Sequence, residues 1–545
     1  MNGAESLVRS LLDVGVEVCF ANPGTSEMHF VAALDRVGGI RCVLGLFEGV
    51  VTGAADGYAR MAGRPGVTLL HLGPGLANGI ANLHNARKAG SPIVNVGGEH
   101  ASWHIEHDAP LTADIEGLAR PVSHWLRTSA SAEALAADGA AAYFAASAAP
   151  GRIATLVVPA NTAWESVRSG VASASDHPAE RITEHGPEGA TDGGLGSAAD
   201  TVSARPPPPP RRVHADRIAD IADVLRGDEP VALVLGGAAL REEALLHAGR
   251  IARASGATLL CETFKRRMER GAGRVAVPAI PYRVQDAVSL LSPFAHLVTV
   301  GAKPPVAFFA YPDTPSELYP PAAGLHALAA AEEDVPRALR DLERALDAED
   351  LEPERQRPSV PDRCADGPLT PEALANVVAR LLPENAIVVD ESITAGRGVF
   401  PATIGAAPHD WLQVCGGSIG GGFPLATGAA IASPERQVIC LEGDGSAMYT
   451  LQALWTQARE SLDVTTLVLA NRSYEILKHE LENVQARSGE IALGMMELER
   501  PALDWVSVAE GMGVAAVRAA TVAELEDALA TALAAPGPRL IEAMI

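Results

Sequence analysis

A chain of 545 residues with 48% hydrophobic and 20% charged residues is too long for one hydrophobic core and has the composition of a globular protein of roughly three domains. A net charge of −24 excludes partners bound through phosphate backbones, which demand clustered Lys and Arg, so no nucleic acid is expected. No apolar run is long enough for a membrane span, and the start, MNGAESLVRSLLDVGVEVCF, carries Glu5 where a signal peptide would be basic. A cytoplasmic protein is expected. Its six cysteines (Cys19, Cys42, Cys261, Cys364, Cys415, Cys440) form no CxxC pair and no zinc spacing, so they are expected to be buried, reduced thiols.

Short β-rich runs, VEVCF, RCVLGLF, VTLLHL and PIVNVGG, alternate with helical patterns from residue 16 to 98, and IATLVVP closes this first block near Pro159. Gly, Ser, Pro and charge without periodicity then mark a linker over 168–212, in which Pro206 to Pro210 predicts a polyproline II segment. A second block, 213–345, carries VALVLGG, ATLLCET and HLVTVGA, and an acidic, Pro-containing linker covers 346–367. The third block, 368–545, offers AIVVDE, QVICLEG, VTTLVLA and the terminal PRLIEAMI. Each block reads as a doubly wound parallel sheet, giving an α/β fold of three such domains.

The chemistry concentrates in GDGSAMYTLQALWTQARESLDVTTLVLANRS, where Asp444 ends one apolar strand, Asn471 ends the next, and a helix over about Ser446 to Glu460 joins them. A right-handed crossover of this length sets two parallel strands side by side, so both side chains emerge at the carboxyl edge of the sheet, where such folds bind ligands. One carboxylate, one amide oxygen and the Ser473 carbonyl form an oxygen set suited to magnesium, and a helix starting at Ser446 aims its amides at phosphate. Taken alone, the GDG turn reads equally well as a tight strand-to-helix loop. Just before it, CGGSIGGGFPLATG is glycine-rich enough to let backbone approach a ligand closely. A dinucleotide loop is the rival for that run, weakened because no GxGxxG opens a helix with an acid about 20 residues on.

A GDG turn followed one helix and one strand later by Asn resembles the diphosphate motif of the thiamine diphosphate enzyme family. The family often has two asparagines, and Ala470 replaces the first here. The resemblance implies thiamine diphosphate held through Mg2+ by Asp444, Asn471 and Ser473, with Gly445, Ser446 and Tyr474 beside the diphosphate. It also demands a glutamate in the first block, and Glu48 in FEGVVTGAADGYARMAGRPG matches, ending the strand RCVLGLF and opening the next helix. Flanking Leu46, Phe47, Val50 and Val51 are expected to desolvate this carboxylate and raise its pKa, so that it shares a proton with the aminopyrimidine ring. Without the downstream motif, a helix-start glutamate favoured by the dipole is the simpler reading. The resemblance further implies that the Gly417 carbonyl and Ile419 hold the ring end of the cofactor. In VVDESITAG, Thr394 would contact the diphosphate, while Ile393 stands where the benzoylformate decarboxylase type has a hydroxyl. Thr25 takes the place of a substrate-binding serine, His71 that of a catalytic histidine, and Asn78 that of a polar residue near the site. A lone strand-end histidine is as often structural as functional.

FANPGTSE, LLHLGPGLANG, LTADIEGLARP, SPERQV and GDGSAMYTLQALW resemble most the benzoylformate decarboxylase-like branch and acetolactate synthase large subunits. That implies a pyrimidine-binding domain at 1–167, a middle domain at 213–345 and a diphosphate-binding domain at 368–545. It also implies a homodimer or homotetramer whose sites combine Glu48 of one subunit with Asp444 and Asn471 of another. The implied reaction breaks or builds a carbon–carbon bond beside the carbonyl of a small 2-oxo acid, with an aldehyde or a second 2-oxo acid as acceptor. Decarboxylation ending in an aldehyde is the alternative, and a non-catalytic homologue is a third reading, opposed by the joint presence of Glu48, Asp444 and Asn471. The decarboxylase's second histidine has no counterpart in GAKPPVAFFAYP, where Phe308 and Phe309 stand, and that loss favours carboligation. The middle domain shows no flavin fingerprint, which weighs against FAD and leaves it open.

Overall fold

Strands apolar at every position, such as IATLVVP, VALVL and VTTLVLA, cannot leave one face to water and must be covered by helices on both sides. The computed structural model, which describes residues 1–167 and 206–545, arranges them accordingly in three sheets. The first holds β1 (Val18–Asn22), β2 (Arg41–Leu44), β3 (Gly66–Leu70), β4 (Ile93–Glu99), β5 (Trp125–Thr128) and β6 (Ile153–Pro159) in the order β2-β1-β3-β4-β6-β5, all parallel. The second is built from β7 (Val231–Leu235), β8 (Thr258–Cys261), β10 (His296–Val300) and β11 (Gly324–Ala329) in the order β11-β10-β7-β8. Between β8 and β10 the chain gives up β9 (Met268–Arg270) to the third sheet. There it joins β12 (Ile387–Glu391), β13 (His409–Gln413), β14 (Val438–Gly443), β15 (Val464–Ala470), β16 (Ala515–Ala519) and β17 (Arg539–Met544) in the order β16-β17-β15-β14-β12-β13-β9. Only β9 runs antiparallel, with His409 opposite Arg270. No helix among the described residues is long and apolar enough to cross a membrane.

Several expectations need correction. The strand read through Phe47 stops at Leu44, and Gly45 to Phe47 form a bend before the helix. The helix expected over Ser446 to Glu460 is two short ones, Asp444–Ala447 and Gln452–Arg459, because Thr450 turns its hydroxyl to the Gly420 carbonyl at 2.8 Å instead of continuing the first. Cys42 is exposed, since β2 is an edge strand with its first two residues in solvent, and Cys364 and Cys415 are half-buried. Pro206 to Pro210 lie in neither helix nor strand, and the rest of the expected first linker, 168–205, lies outside the described residues.

The chain forms two compact units. The first gathers the N-terminal sheet with Gly416–Ser433 and Thr450–Glu460; the second comprises Pro210–Cys415, Pro434–Tyr449 and Ser461–Ile545. At the centre of the first lies the Glu48–Ala62 helix, buried from Glu48 to Arg60 and closed by Gly63 at φ 70°. Within it, Arg60 Nε donates to Asp56 Oδ1 at 2.8 Å, one turn earlier. Against it packs the Gly422–Ala432 helix, at backbone contact. A Cβ on Gly57 would lie 2.0 Å from the Leu425 carbonyl oxygen, and one on Gly428 would lie 1.8 Å from that of Ala54. The Leu72–Ala89 helix closes in through Gly79, whose carbonyl accepts from Thr52 Oγ1 at 3.0 Å.

Because the obstacle at Gly428 is backbone, an added methyl cannot be absorbed by a side-chain rotation. Gly428→Ala is therefore expected to lower the unfolding free energy by about 1–3 kcal/mol in urea titrations followed by circular dichroism. Gly511→Ala, where an added methyl meets nothing within 4 Å, is the control that should lose no stability.

Candidate active site

At the carboxyl edge of the first sheet, the turns after β1, β2 and β3 bring four side chains together. Glu48 opens its helix after the β2 bend and is buried, with Val50 and Val51 buried beside it. Leu46, expected to desolvate it, is 45% exposed and does not, because the bend turns it outward. Asn78 Nδ2 donates to Glu48 Oε2 at 3.0 Å from the neighbouring helix. Gly75 leaves open the space that a Cβ would fill, 3.0 Å from Glu48 Oε1 and 3.3 Å from His71 Cβ. His71 Nδ1 lies 2.7 Å from Glu27 Oε2, so the ring donates there and, when neutral, presents Nε2 as its basic nitrogen. The same Glu27 oxygen accepts from the Gly24 amide at 2.8 Å, fixing the turn that carries the exposed Thr25.

Glu27 is the residue that sequence reasoning missed. It is buried, and its Oε1 finds no hydrogen-bond partner among the described residues. The signal was a Gly followed three residues later by Glu directly after an apolar strand, the spacing of a capping box.

The glycine-rich loop also belongs to the first unit. Asn85 Nδ2 donates to the Ser418 carbonyl at 2.7 Å, Asn85 Oδ1 accepts from the Ser418 amide at 3.1 Å, and His84 Nε2 lies 3.1 Å from the Gly416 carbonyl. The loop passes through left-handed turns at Gly417 (φ 74°) and Gly420 (φ 92°), with Gly417 exposed and Ile419 half-buried.

In the second unit, β14 and β15 are adjacent and parallel, and Asp444 and Asn471 follow their last residues. Asp444 is buried and accepts from the backbone amides of Gly445 (Oδ1, 2.9 Å) and Arg472 (Oδ2, 2.6 Å). Asn471 Oδ1 accepts from the Ser473 amide at 3.1 Å. Tyr474 closes the turn: a Cβ on Gly445 would strike its ring at 2.3 Å. Ser446 is buried, and a Cβ on Gly443 would lie 3.3 Å from its hydroxyl and 3.8 Å from Ile393 Cγ1. The Ile393–Thr394 turn after β12 thus stands beside the GDG turn, with Thr394 half-buried. Leu72 (φ 49°), Ile393 (φ 52°) and Arg472 (φ 53°) hold left-handed conformations that side-chain-bearing residues rarely adopt, each next to one of these site residues.

Burial lifts the Asp444 carboxyl to about 6 against the two amides that favour its charge, and among the described residues it makes no ion pair. A desolvated carboxylate beside amide and carbonyl oxygens, without a cationic side chain, fits a hard divalent ion, so Asp444, Asn471 and Ser473 could hold Mg2+. The gap left by Gly75 against the Glu48 carboxylate fits a flat ring, so these residues could hold the aminopyrimidine end of a cofactor.

Two family models match. The thiamine pyrophosphate enzyme N-terminal TPP binding domain covers residues 1–118, and the C-terminal TPP binding domain covers 402–543. A Mycobacterium tuberculosis protein described as "Putative acetolactate synthase large subunit IlvX" is 48% identical over all of this chain and 99% of its own length. This chain belongs to the thiamine pyrophosphate enzyme family. Benzoylformate decarboxylase of Pseudomonas aeruginosa is 30% identical over 97% of this chain and 96% of its own. Among solved structures, the Rhodococcus jostii RHA1 thiamine diphosphate-dependent 4-hydroxybenzoylformate decarboxylase superposes with a TM-score of 0.80 at 25% identity, covering 99% of this chain and 98% of its own. The N-terminal TPP binding match contains Glu27, Glu48, His71 and Asn78, and the C-terminal one contains Gly417, Ile419, Asp444, Asn471 and Ser473; Thr394 precedes it.

The Asp444 value has a consequence for stability. A carboxyl whose pKa is higher in the folded than in the unfolded chain favours folding at low pH, and that contribution is lost as pH rises through about 6. In chelator, Asp444→Asn is expected to stabilise the protein by about 1–3 kcal/mol near pH 8, the gain shrinking as pH falls below 6. Urea titrations across that range read the difference, and a gain independent of pH would contradict it.

Proposed function

We propose that this family member is a thiamine diphosphate- and Mg2+-dependent lyase or carboligase of 2-oxo acids, acetolactate synthase-like. The observation that carries the reading is the buried Asp444 carboxylate, without an ion pair among the described residues, at the carboxyl edge of its sheet beside the Asn471–Ser473 turn. Asp444, Asn471 and Ser473 would hold the metal, with Gly445, Ser446, Thr394 and Tyr474 around the diphosphate. When bound, thiamine diphosphate supplies a nucleophilic carbon and the electron sink into which the bond to carbon dioxide can break. Glu48, oriented by Asn78, exchanges a proton with the aminopyrimidine ring. His71, aimed by Glu27, offers Nε2 to the substrate, and Thr25 lies beside it. Gly417 and Ile419 support the ring end. A homodimer or homotetramer is part of this proposal, checked by light scattering.

FAD is not part of it, the middle domain showing no flavin fingerprint. The second reading, a decarboxylase that releases an aldehyde, is supported by the 30% identity to benzoylformate decarboxylase.

Incubating the purified protein with pyruvate or benzoylformate is expected to release carbon dioxide only when thiamine diphosphate and Mg2+ are both present. Chromatography of the products separates ligation from aldehyde release. Carbon dioxide from none of a panel of 2-oxo acids would remove the proposal. Glu48→Gln should retain diphosphate binding by calorimetry while slowing hydrogen–deuterium exchange at the thiazolium carbon by roughly 100-fold, because an amide of the same size cannot pass on the proton.

A further inference from the structure

Whatever the fate of the acyl group, one proton must enter for each carbon dioxide lost. A 2-oxo acid anion plus a proton gives an aldehyde and carbon dioxide; with an acceptor carbonyl, the same proton ends on the new hydroxyl. No histidine occurs between Gly301 and Pro312 to deliver it. The second unit contains another acid. Glu480 lies on the Glu475–Asn483 helix, which begins directly after Tyr474. Its Oε1 accepts from the Tyr282 hydroxyl at 3.2 Å, and the Tyr311 phenol, its pKa raised by burial, is close enough for the Glu480 charge to raise it further. The Arg397 guanidinium stacks over the Tyr282 ring with Cζ 4.8 Å from the centroid, while its Nε donates to the Ile393 carbonyl at 2.8 Å. That bond ties the cluster to the turn of Thr394.

An apolar wall adjoins this group. Phe308 lies 5.7 Å from Tyr282, 5.5 Å from Phe264 and 4.9 Å from Phe309, ring centre to ring centre. Phe308 is 41% and Phe309 52% exposed, although rings of this size are usually covered. Tyr282, from the segment after β9, Tyr311, after β10, and Arg397, after β12, are the titratable and charged groups that face Glu480. A tyrosine hydroxyl held on a carboxylate with a second phenol nearby, tied through Arg397 to the turn of Thr394 and beside exposed phenylalanines, is more than packing requires.

Resting on the 2-oxo acid reading above, we infer that Glu480, held by Tyr282, gives the substrate its proton. The carboxyl O–H bond breaks, the proton passes to the acyl carbon or to the acceptor's oxygen, and the resulting carboxylate takes a proton back from water. Phe308 and Phe309 keep the path dry. Burial, and after it the Glu480 charge, hold the Tyr282 phenol well above the ordinary tyrosine range, as expected of a phenol that donates to a carboxylate.

Three measurements on the full-length protein test this. With cofactor and metal, Glu480→Gln should keep the single-turnover release of carbon dioxide and slow product formation by roughly 100-fold, with Glu480→Asp partly restoring it. Tyr282→Phe removes the hydrogen bond that positions the Glu480 carboxyl, and should slow product formation several-fold while leaving single-turnover carbon dioxide release unchanged. Without cofactor, Glu480→Gln should bring one phenol titration down toward the ordinary tyrosine range, read by phenolate absorbance. Product formation unchanged in Glu480→Gln, or an unmoved phenol titration, overturns the assignment and leaves the 2-oxo acid reading standing. If the parent releases no carbon dioxide from any 2-oxo acid, that reading fails and this inference with it. Should Glu480→Gln fail to fold, Tyr282→Phe decides alone, unchanged product formation counting against the assignment.

Discussion

Close contact of helix backbones across glycine is the constraint on which the first unit depends. With Gly57 and Gly428 facing each other's helices, the carbonyls of Leu425 and Ala54 come within reach of atoms that any side chain would displace. Dispersion forces act strongly at that distance, and no long side chain is immobilised to obtain them. The arrangement decides where Glu48 sits, because the carboxylate is the first residue of a helix whose next dozen positions cannot shift without collision. It also positions the Gly416–Gly420 loop, which runs straight into the opposing helix and is tied by Asn82 and Asn85 to a third. In the role proposed for it, Glu48 would gain from such rigidity, since proton transfer tolerates little error in distance.

The second unit obtains its order differently. Asp444 is kept by backbone amides alone, and the turns around it include the left-handed, non-glycine residues Ile393 and Arg472. Both features cost stability: a desolvated carboxylate prefers its proton, and a branched residue such as Ile393 at positive φ crowds its own carbonyl. The strands behind them, buried along their whole length in β15 and nearly so in β14, can bear that cost. This is the usual distribution in ligand sites on parallel sheets, with a rigid core below and a strained, under-neutralised rim above that a bound ion or ligand relieves.

Much of this could be read from the sequence. Uniformly apolar strands gave away three parallel sheets, and the GDG turn, Asn471 and Glu48 stood out because each follows a strand of that kind. Elements that lack the pattern were not legible. β13 reads HDWLQ and β9 is three residues long, so neither shows a period; β13 forms between β12 and β9, and β9 exists only by finding β13 across the chain. Glu27 escaped for a related reason: its value comes from His71, 44 residues on, and that distance in sequence says nothing about 2.7 Å in space. Leu46 was misread because the exit from β2 was placed three residues late, enough to turn it from an interior residue to an exposed one. Tyr282, Tyr311, Arg397 and Glu480 come from four separate segments, and nothing short of the fold could have grouped them.

The loan of β9 to the third sheet has a further implication. Arg270 on that strand stacks its guanidinium on Phe400, 3.9 Å from the ring centre, and donates to Thr403 Oγ1 at 2.5 Å and the Phe400 carbonyl at 2.7 Å. Without it, β13 would present a naked row of backbone donors and acceptors, the type of edge along which chains aggregate. The block from 213 to 345 is therefore not a removable insert. Cutting it out, or exchanging it for the corresponding part of another enzyme, would strip the neighbouring sheet of its selvage, and only a graft that brings its own antiparallel strand with a buried arginine can be spliced in cleanly.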